Sequence, residues 1–397
     1  MATTNSLSGA ASESEVAGDR LLVLLAALPP DQLETVLANL ATCAAPDNLV
    51  IATADQSAKE AHPELKIVPA AESKPSWTVT AADYVSAFAL AQQHEAKAVL
   101  MLGPECGSLN AYGLRNLANA VLASPADLAL PRYDLPPRAG MVNSAILYPL
   151  SRALFGSPAR YPLAVDLGLS LRMAERLSIA AHCFTRLNQP GALVWPVSEA
   201  AVAGMAIREV NVGTRAIPQP SDPDLNAVLS LVAGSLFADV DAKAAFWQRP
   251  RQLPPARSQL AAQTLATDLP ADVAPMIQAF RLAYSNLQEI WSLVLPPNAL
   301  LGLKRLSLAD GAAFRMPETL WARIVYDFLL AHRLRTINRG HLLGALIPLY
   351  LAWVASHINA VASGMDPEQH VDAVAAAFAN EKPYLVARWR WPDRFNP

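Results

Sequence analysis

The chain has 397 residues, of which 53% are hydrophobic and 16% are charged, and its formal net charge is -3. This composition is typical of a folded protein with room for one large domain or two ordinary ones, and it excludes the fibrous and disordered classes. Acidic residues slightly outnumber basic ones, 34 to 31, so we expect no nucleic-acid partner.

Three cysteines, Cys43, Cys106 and Cys183, are far apart and lack the spacing of a zinc site or a disulfide framework. A cytoplasmic location is therefore expected. Residues 1–18 are small and polar, without the basic and apolar regions of a signal peptide, and are predicted to be a disordered tail. The most apolar stretch, 342–355, is shorter than the ~20 residues of a membrane-spanning helix, so we expect a buried helix and no membrane span.

Short apolar segments alternate with amphipathic ones from Leu21 onward. LLVLLAAL, NLVIAT and KAVLML resemble strands, whereas PPDQLETVLANLATC places its apolar residues on one helical face. Thr80 and Asp83 have the spacing of a capping box at the start of a further helix. The alternation predicts an α/β fold with a mostly parallel sheet flanked by helices and with ligands at the carboxyl ends of the strands. The turn GPECGS, 103–108, would lie at such an end.

A change of character follows the proline-rich segment AIPQPSDPD, 216–224, which we interpret as a domain joint. The segments beyond it have helical periodicity and predict an all-α domain over 223–397, preceded by an α/β domain over 19–222. One of these helices carries an apolar stripe that ends at His332. The stripe predicts that this histidine is packed in the core and is not a ligand.

The sequence contains no G-x-G-x-x-G, P-loop, G-x-S-x-G or H-E-x-x-H motif. Several stretches in order nevertheless resemble the retaining, GT-A-fold glycosyltransferases that include glucosyl-3-phosphoglycerate synthase and mannosylglycerate synthase. These stretches are PRYDLPPRAGMVNSAILYPLSRALFG, YPLAVDLGLS, LVWPVSEAAVAGM and NVGTRAI, then DPDLNAVLSLVAGSLF, LWARIVYDF, IPLYLAWVAS and KPYLVARW in the helical half. The resemblance covers residues 98–390.

The resemblance implies a GT-A-like fold, a nucleotide diphosphate sugar as donor, a small acceptor that could be anionic, and a Mg or Mn ion that holds the diphosphate. In the family, two aspartates of a D-x-D turn and a later histidine bind this ion. Here the turn positions are Gly103, Pro104 and Glu105, the histidine position is Ile217, and an acid that begins a later helix is replaced by Leu193. Glu105 is the one carboxylate left of this set and alone should bind a divalent ion weakly, so the metal ligands are predicted to be largely missing.

The rest of the implied site keeps residues that fit the family. The candidate catalytic residues are Asp166, on the turn of YPLAVDLGLS, and Glu105. The candidate substrate-binding residues are Arg138, Gly140, Asn143 and Arg215. Simpler roles stay open beside these: a buried hydrogen-bond acceptor for Asp166, a solvated turn residue for Glu105, and an ion pair for Arg215. Cys106 is interpreted as an inert buried thiol.

Three hypotheses about function follow, of which the third is a helical scaffold with no ligand. In the first, the chain is an active hexosyltransferase in which a cationic side chain such as Arg215 or Lys97 replaces the metal, and a nucleotide sugar and a small acceptor are its ligands. In the second, it is a catalytically silent homologue that serves as a binding or regulatory subunit, with an active paralogue or a homo-oligomer as partner. The retained acceptor segment favours the first hypothesis, and the lost metal ligands favour the second.

Overall fold

The computed structural model describes residues 20–70, 76–163, 165–218, 224–250 and 272–392. The predicted tail, 1–18, and part of the predicted joint, 219–223, lie outside these residues.

The α/β half is built on a single seven-stranded sheet within the described chain. Its strands are β1 (Leu21–Leu25), β2 (Leu49–Thr53), β3 (Lys66–Pro69), β4 (Ala98–Leu102), β5 (Leu128–Asp134), β6 (Asp166–Ser170) and β7 (Ile207–Thr214). Their spatial order is β3-β2-β1-β4-β6-β5-β7. Strand β6 runs antiparallel to both of its neighbours, and the other four pairings are parallel. The predicted mostly parallel sheet is confirmed.

The helices of this half are α1 (Pro30–Ala41), α2 (Ala58–Ala61), α3 (Ala81–Gln93), α4 (Ala111–Leu122), α5 (Tyr148–Phe155), α6 (Leu171–Arg186) and α7 (Pro196–Ala203). Helices α1 and α4 cover one face of the sheet and α3 and α6 cover the other, whereas α5 packs in the helical core. The predicted capping box is confirmed, since the backbone N–H of Thr80 donates to the Asp83 carboxylate at 2.8 Å at the start of α3. This cap leaves the first turn of α3 well defined beside the ends of β1 and β4.

The C-terminal half is helical, as predicted. Its helices are α8 (Leu225–Ala242), α9 (Ala244–Trp247), α10 (Ala274–Asn286), α11 (Gln288–Ser292), α12 (Pro297–Ser307), α13 (Glu318–Leu334), α14 (Arg339–Ala362) and α15 (Pro367–Arg390). The stripe on α13 is buried up to His332, whose ring packs edge-on against Phe237 with centroids 5.7 Å apart. Burial lowers the pKa of His332 to about 4, so the core position predicted for this histidine is confirmed.

Two helices, α8 and α14, are long and apolar enough to cross a membrane by length and composition. Within their most apolar windows, 33% of α8 and 61% of α14 is buried inside the structure. Helix α14 contains the stretch 342–355, and its Leu346 and Trp353 are almost wholly buried in the helical core. It is therefore the buried helix that the sequence predicts.

The buried apolar residues form three large clusters. Side chains alternate along a strand, so Leu21 and Val23 of β1 join the layer with α1 and α4, whereas Leu22 and its alternate neighbours join the layer with α3 and α6. The third cluster lies among the C-terminal helices and extends to α5 and to Leu193 and Trp195. The sheet half and the helical half therefore share apolar packing through α5.

Candidate functional site

One edge of the sheet brings the candidate residues together. Strand β4 ends at Leu102, which pairs with Asp166 at the start of the antiparallel β6. Strands β5 and β7 run parallel to β4 and end at the same edge, so Tyr133 near the end of β5 and Arg215 just after β7 approach Asp166. The sequence placed Asp166 on a turn, whereas it is the first residue of β6, because its backbone is within the ladder with β4.

Asp166 and Arg215 form a buried ion pair at this edge. Both side chains are 0% exposed. The Arg215 Nε lies 2.8 Å from one carboxylate oxygen, and its Nη2 lies 3.1 Å from the other. Burial by itself would lower the pKa of Arg215, but the Asp166 carboxylate raises it above the ordinary value. This two-pronged geometry is the strong form of a guanidinium–carboxylate interaction.

Two further donors complete the environment of the Asp166 carboxylate. The Tyr133 hydroxyl donates to it at 2.9 Å, and the backbone N–H of Gly103 donates at 3.2 Å. Burial, followed by the Asp166 charge, raises the pKa of Tyr133 well above its ordinary value, so the phenol stays protonated and keeps donating. The Asp166 carboxylate is thus a buried acceptor of hydrogen bonds from Tyr133, Gly103 and Arg215.

The remaining donors of Arg215 hold the turn 103–108. Nη2 donates to the carbonyl of Pro104 at 2.6 Å, and Nη1 donates to the carbonyl of Ala216 at 2.7 Å. Nη1 also lies 3.3 Å from the Ser108 hydroxyl. The guanidinium is therefore surrounded by protein oxygen atoms, and it faces the turn and not solvent.

Glu105, the other candidate catalytic carboxylate, is exposed at the tip of this turn. Its backbone is left-handed, with φ at 62°, and its carboxylate accepts from the Gln32 side chain at 2.8 Å. Among the described residues, no hydrogen bond or ion pair joins Glu105 to Asp166. The next residue, Cys106, is buried, and burial raises its pKa to about 12, which agrees with an inert thiol.

The candidate acceptor-side residues lie on the segment after β5. Arg138 is half-buried, and Gly140 adopts a left-handed conformation with φ at 66°. Asn143 is buried at the start of a π-helical turn, Asn143–Leu147, a geometry that is rare and often found near functional sites. Its Oδ1 is buried without a hydrogen-bond partner in the described chain.

Arg160, which is not among the candidate residues named from the sequence, connects this segment to the helical half. Its backbone carbonyl accepts from Asn143 at 2.7 Å, and its guanidinium pairs with Glu368 at the start of α15 at 3.0 Å. Its side chain is 5% exposed. No periodicity or motif marks a residue whose partner is more than two hundred positions away, so only the fold reveals this contact.

Lys97 lies at the opposite edge of the sheet from the candidate site. It precedes β4, and its backbone N–H donates to the carbonyl of Arg20, just before β1. Both residues are therefore at the amino ends of their strands, at the opposite edge from the turn 103–108. Of the two cations considered as replacements for a metal, only Arg215 lies at the site.

The positions that hold a metal ion in the glycosyltransferases that this sequence resembles do not suit a metal ion in this structure. A Cβ atom at Gly103 would lie 2.7 Å from the carbonyl oxygen of Val165 and 2.9 Å from its Cβ, so an aspartate has no room. Ile217 packs half-buried against the sheet core, and Leu193 is buried in the helical core. Across the described ranges, no group of three or more His, Cys, Asp or Glu residues is arranged to hold a metal ion. Mg and Mn require several such oxygen ligands.

A cavity of about 180 Å³ lies next to the ion pair, at the carboxyl ends of β1, β2 and β4 and beside the start of α3. The chain goes from β1 to β2 on one side and reaches β4 on the other, so the cavity is at the point where open α/β sheets bind ligands. Its only charged group among the described lining residues is Asp83, the cap of α3. Other residues that line it include Ala26, Ala54, Ser76, Ser86, Gly103 and Pro104.

No protein-family model matches the chain, and no curated protein matches it. It is similar to crystal structures of glucosyl-3-phosphoglycerate synthase from Mycobacterium tuberculosis. The complex with Mn²⁺, uridine diphosphate and glucosyl-3-phosphoglycerate is 18% identical, with a TM-score of 0.38, over 57% of this chain and 82% of that chain. The complex with Mn²⁺, UDP-glucose and glycerol 3-phosphate gives the same values. The complex with Mg²⁺ and uridine diphosphate, also 18% identical with a TM-score of 0.38, covers 57% of this chain and 81% of its own. A likeness at this level leaves the ligand and the activity of this chain open.

Proposed function

We propose that the chain is a catalytically silent glycosyltransferase homologue that binds a nucleotide or nucleotide sugar without a divalent metal and acts as a binding or regulatory subunit. The observation that carries this proposal is the buried pair of Asp166 and Arg215. A transferase needs a carboxylate or a cation that faces its substrate. At this edge the two groups are 0% exposed and bind each other and the turn 103–108.

The cavity beside the pair supports a binding role. It lies at the carboxyl ends of β1, β2 and β4, which is the usual ligand position in open α/β sheets. At about 180 Å³ it is smaller than the ~300–1,000 Å³ of pockets that bury a drug-sized ligand. The described wall therefore encloses a single ring of the ligand, such as the nucleobase or the sugar, and the rest of a nucleotide or nucleotide sugar would extend beyond it.

The active-transferase hypothesis requires a different use of the same residues. The segment with Gly140 and Asn143 would hold the small acceptor, and Arg215 would have to turn from Asp166 toward a diphosphate. That movement would leave a buried carboxylate without its partner, which costs several kcal/mol. Sugar transfer that depends on Asp166 would establish this hypothesis and contradict the silent one.

The proposal also includes the domains, the location and the partner that the sequence predicts. It comprises an α/β domain over 19–222, a helical domain over 223–397, a cytoplasmic location, and an active paralogue or a second copy of the chain as partner. Light scattering on the purified full-length chain measures whether it forms a homo-oligomer. Co-purification with a catalytically active paralogue tests the other partner.

Binding to the cavity is tested by calorimetric titration with UDP, GDP and ADP and with the matching nucleosides, all in EDTA. Ser86 lies on α3 and lines the cavity, so Ser86→Phe fills it. Ser285 is exposed on α10, so Ser285→Phe is the matched control. We expect at least one ligand to bind the wild type and the control and to lose at least tenfold in affinity on Ser86→Phe. Equal binding by all three proteins, or no binding at all, would contradict the proposed site.

A further inference from the structure

We infer that the Arg215 guanidinium takes the place of a bound cation at this edge of the sheet. In this role it fixes the turn 103–108, so that the neighbouring cavity keeps its shape without a divalent metal. The part of the inference that concerns the ligand rests on the proposed function. The part that concerns the cation stands on the ion pair alone and is tested without any nucleotide.

The environment of the guanidinium is the environment of a hard cation. It consists of the two carboxylate oxygens of Asp166, the carbonyl oxygens of Pro104 and Ala216, and the Ser108 hydroxyl, at distances of 2.6 to 3.3 Å. Oxygen ligands of this kind would suit Mg or Mn by chemistry. Here they are spaced to accept the planar, fork-shaped donors of an arginine.

The turn held by this cation forms part of the cavity wall. Gly103 and Pro104 both line the cavity. Gly103 is fixed from one side, because its N–H donates to Asp166, and Pro104 is fixed from the other, because its carbonyl accepts from Arg215. A change at Arg215 therefore reaches the cavity through the backbone of two adjacent residues. Arg215 is in this sense a positioning residue, without contact to the ligand.

A divalent ion and Arg215 would compete for the same oxygen atoms. An ion entering at Asp166 would have to displace a side chain that is 0% exposed and leave its charge without a partner. Removing one member of a buried pair is strongly unfavourable. The wild-type chain should therefore ignore millimolar Mn²⁺, whereas a chain without the arginine side chain gains a vacant cation position.

The experiment compares thermal unfolding of the full chain with that of Arg215→Ala and Arg215→Lys. Each protein is melted with EDTA, MnCl₂, and millimolar guanidinium chloride against equal NaCl. We expect the wild-type Tm to be the same in EDTA and MnCl₂, and Arg215→Ala to melt on the order of 5–10 °C lower. Guanidinium ion should restore part of that loss, as should Mn²⁺, and NaCl should not.

Arg172→Ala is the matched control, because Arg172 pairs with Asp127 while its own side chain is 67% exposed. Its Tm should not respond to guanidinium. Nucleotide affinity supplies a readout beyond stability: Arg215→Lys, which keeps a charge but lacks the fork, should fold and bind the nucleotide severalfold more weakly. If Arg215→Ala does not fold, this lysine variant still decides the positioning role.

Three outcomes would overturn the inference: a wild-type Tm raised by MnCl₂, a folded Arg215→Ala that guanidinium does not rescue, or unchanged nucleotide affinity in Arg215→Lys. A wild type that binds no nucleotide contradicts the proposed function instead and leaves the melting results as the test of the cation. A wild type that binds nucleotide only with Mn²⁺ contradicts the inference and keeps the binding site.

Discussion

Two neighbouring regions at one edge of the sheet, both in contact with the turn 103–108, differ in charge and in exposure. On one side of the turn 103–108, the pair of Asp166 and Arg215 is 0% exposed and bound entirely by protein groups. On the other side, the cavity at the ends of β1 and β4 is lined by mostly uncharged residues. The first region contains two opposite charges that solvent does not reach. The second is accessible to a ligand, and Asp83 is the one charged residue among its described lining residues.

The difference separates groups that a ligand can contact from groups whose contacts are all made within the protein. A charged group whose hydrogen bonds are all made inside the protein stabilises the fold, and it has nothing left to offer a substrate. A cavity at a strand end can still hold a ligand by shape and apolar contact. The molecule therefore combines a cavity at the ends of strands with a neighbouring ion pair that solvent does not reach.

Disrupting the closed region, which is the buried pair of Asp166 and Arg215, should have the largest effect on stability. Arg215→Met leaves the Asp166 carboxylate buried without its partner, and we expect a loss of about 3–5 kcal/mol in the free energy of unfolding. Arg172→Met should cost less, about 1–2 kcal/mol, because Arg172 is 67% exposed and the buried Asp127 keeps its hydrogen bonds from Ser170 and from the backbone N–H of Ala206. Urea denaturation of the two variants and the wild type measures both values. Equal losses in the free energy of unfolding would mean that burial does not increase the contribution of the Asp166–Arg215 pair to stability.

The next test concerns the turn itself. Gly103→Ala should cost about 1–3 kcal/mol, because the added Cβ meets the backbone of Val165 at 2.7 Å. The control is Gly107→Ala in the same turn, whose Cβ would lie 3.1 Å from the Gln32 Cβ, so a shift of a few tenths of an ångström would relieve the contact. Urea denaturation should rank Gly103→Ala as the more damaging. The opposite order would show that the turn has room for the aspartate that a metal site needs.

A third test extends the comparison to the helical half, where His332 is buried without an ionic partner. Its Nδ1 has no hydrogen-bond partner in the described chain, and its pKa is lowered to about 4 by burial. Since its pKa in the unfolded chain is near 6.5, the unfolded state binds a proton first as the pH falls. Stability should drop by about 1–2 kcal/mol between pH 7 and pH 5.

His332→Leu should remove that share of the pH dependence, which urea denaturation at the two pH values measures. His357 is also buried with a lowered pKa and contributes the same sign in both proteins, so the difference between wild type and variant isolates His332. An identical pH dependence in the two proteins would contradict the assignment.

The smallest effect is expected at the exposed tip of the turn. Glu105 has a left-handed backbone, which glycine adopts at no steric cost. Glu105→Gly should therefore leave stability unchanged or raise it by about 0.5 kcal/mol, despite the loss of the exposed hydrogen bond with Gln32. A loss of more than 1 kcal/mol, on the order of a buried hydrogen bond, would show that Glu105 belongs to the closed region.

The parts of the fold that depend on local pattern were predictable. The alternation of apolar strands and amphipathic helices, the capping box at Thr80 and the buried stripe ending at His332 all rest on residues within a few positions of one another. The inert character of Cys106 followed from the absence of a base nearby. Helix α12, Pro297–Ser307, was not predicted, because Pro296 and Pro297 at its start and Gly302 in its middle weaken the local helical signal.

The candidate site was only partly predictable, because its geometry depends on strand direction and distant contacts. Asp166 and Arg215 were named from the sequence, but their pairing follows from the antiparallel course of β6, which no local pattern indicates. Lys97 was named as well, although a residue just before a strand lies at the amino end of the sheet. Arg160 and its partner Glu368 are joined only by the packing of α15 against the sheet half.

The most direct test of the account is a thermal-shift titration of the wild-type chain with UDP, GDP and ADP, each in EDTA and in MnCl₂. A ligand that binds only the folded state raises the Tm by mass action. We predict a rise with at least one nucleotide that is equal in EDTA and in MnCl₂. A rise that requires Mn²⁺ would contradict the account, because it would mean that the closed edge of the sheet still binds a metal.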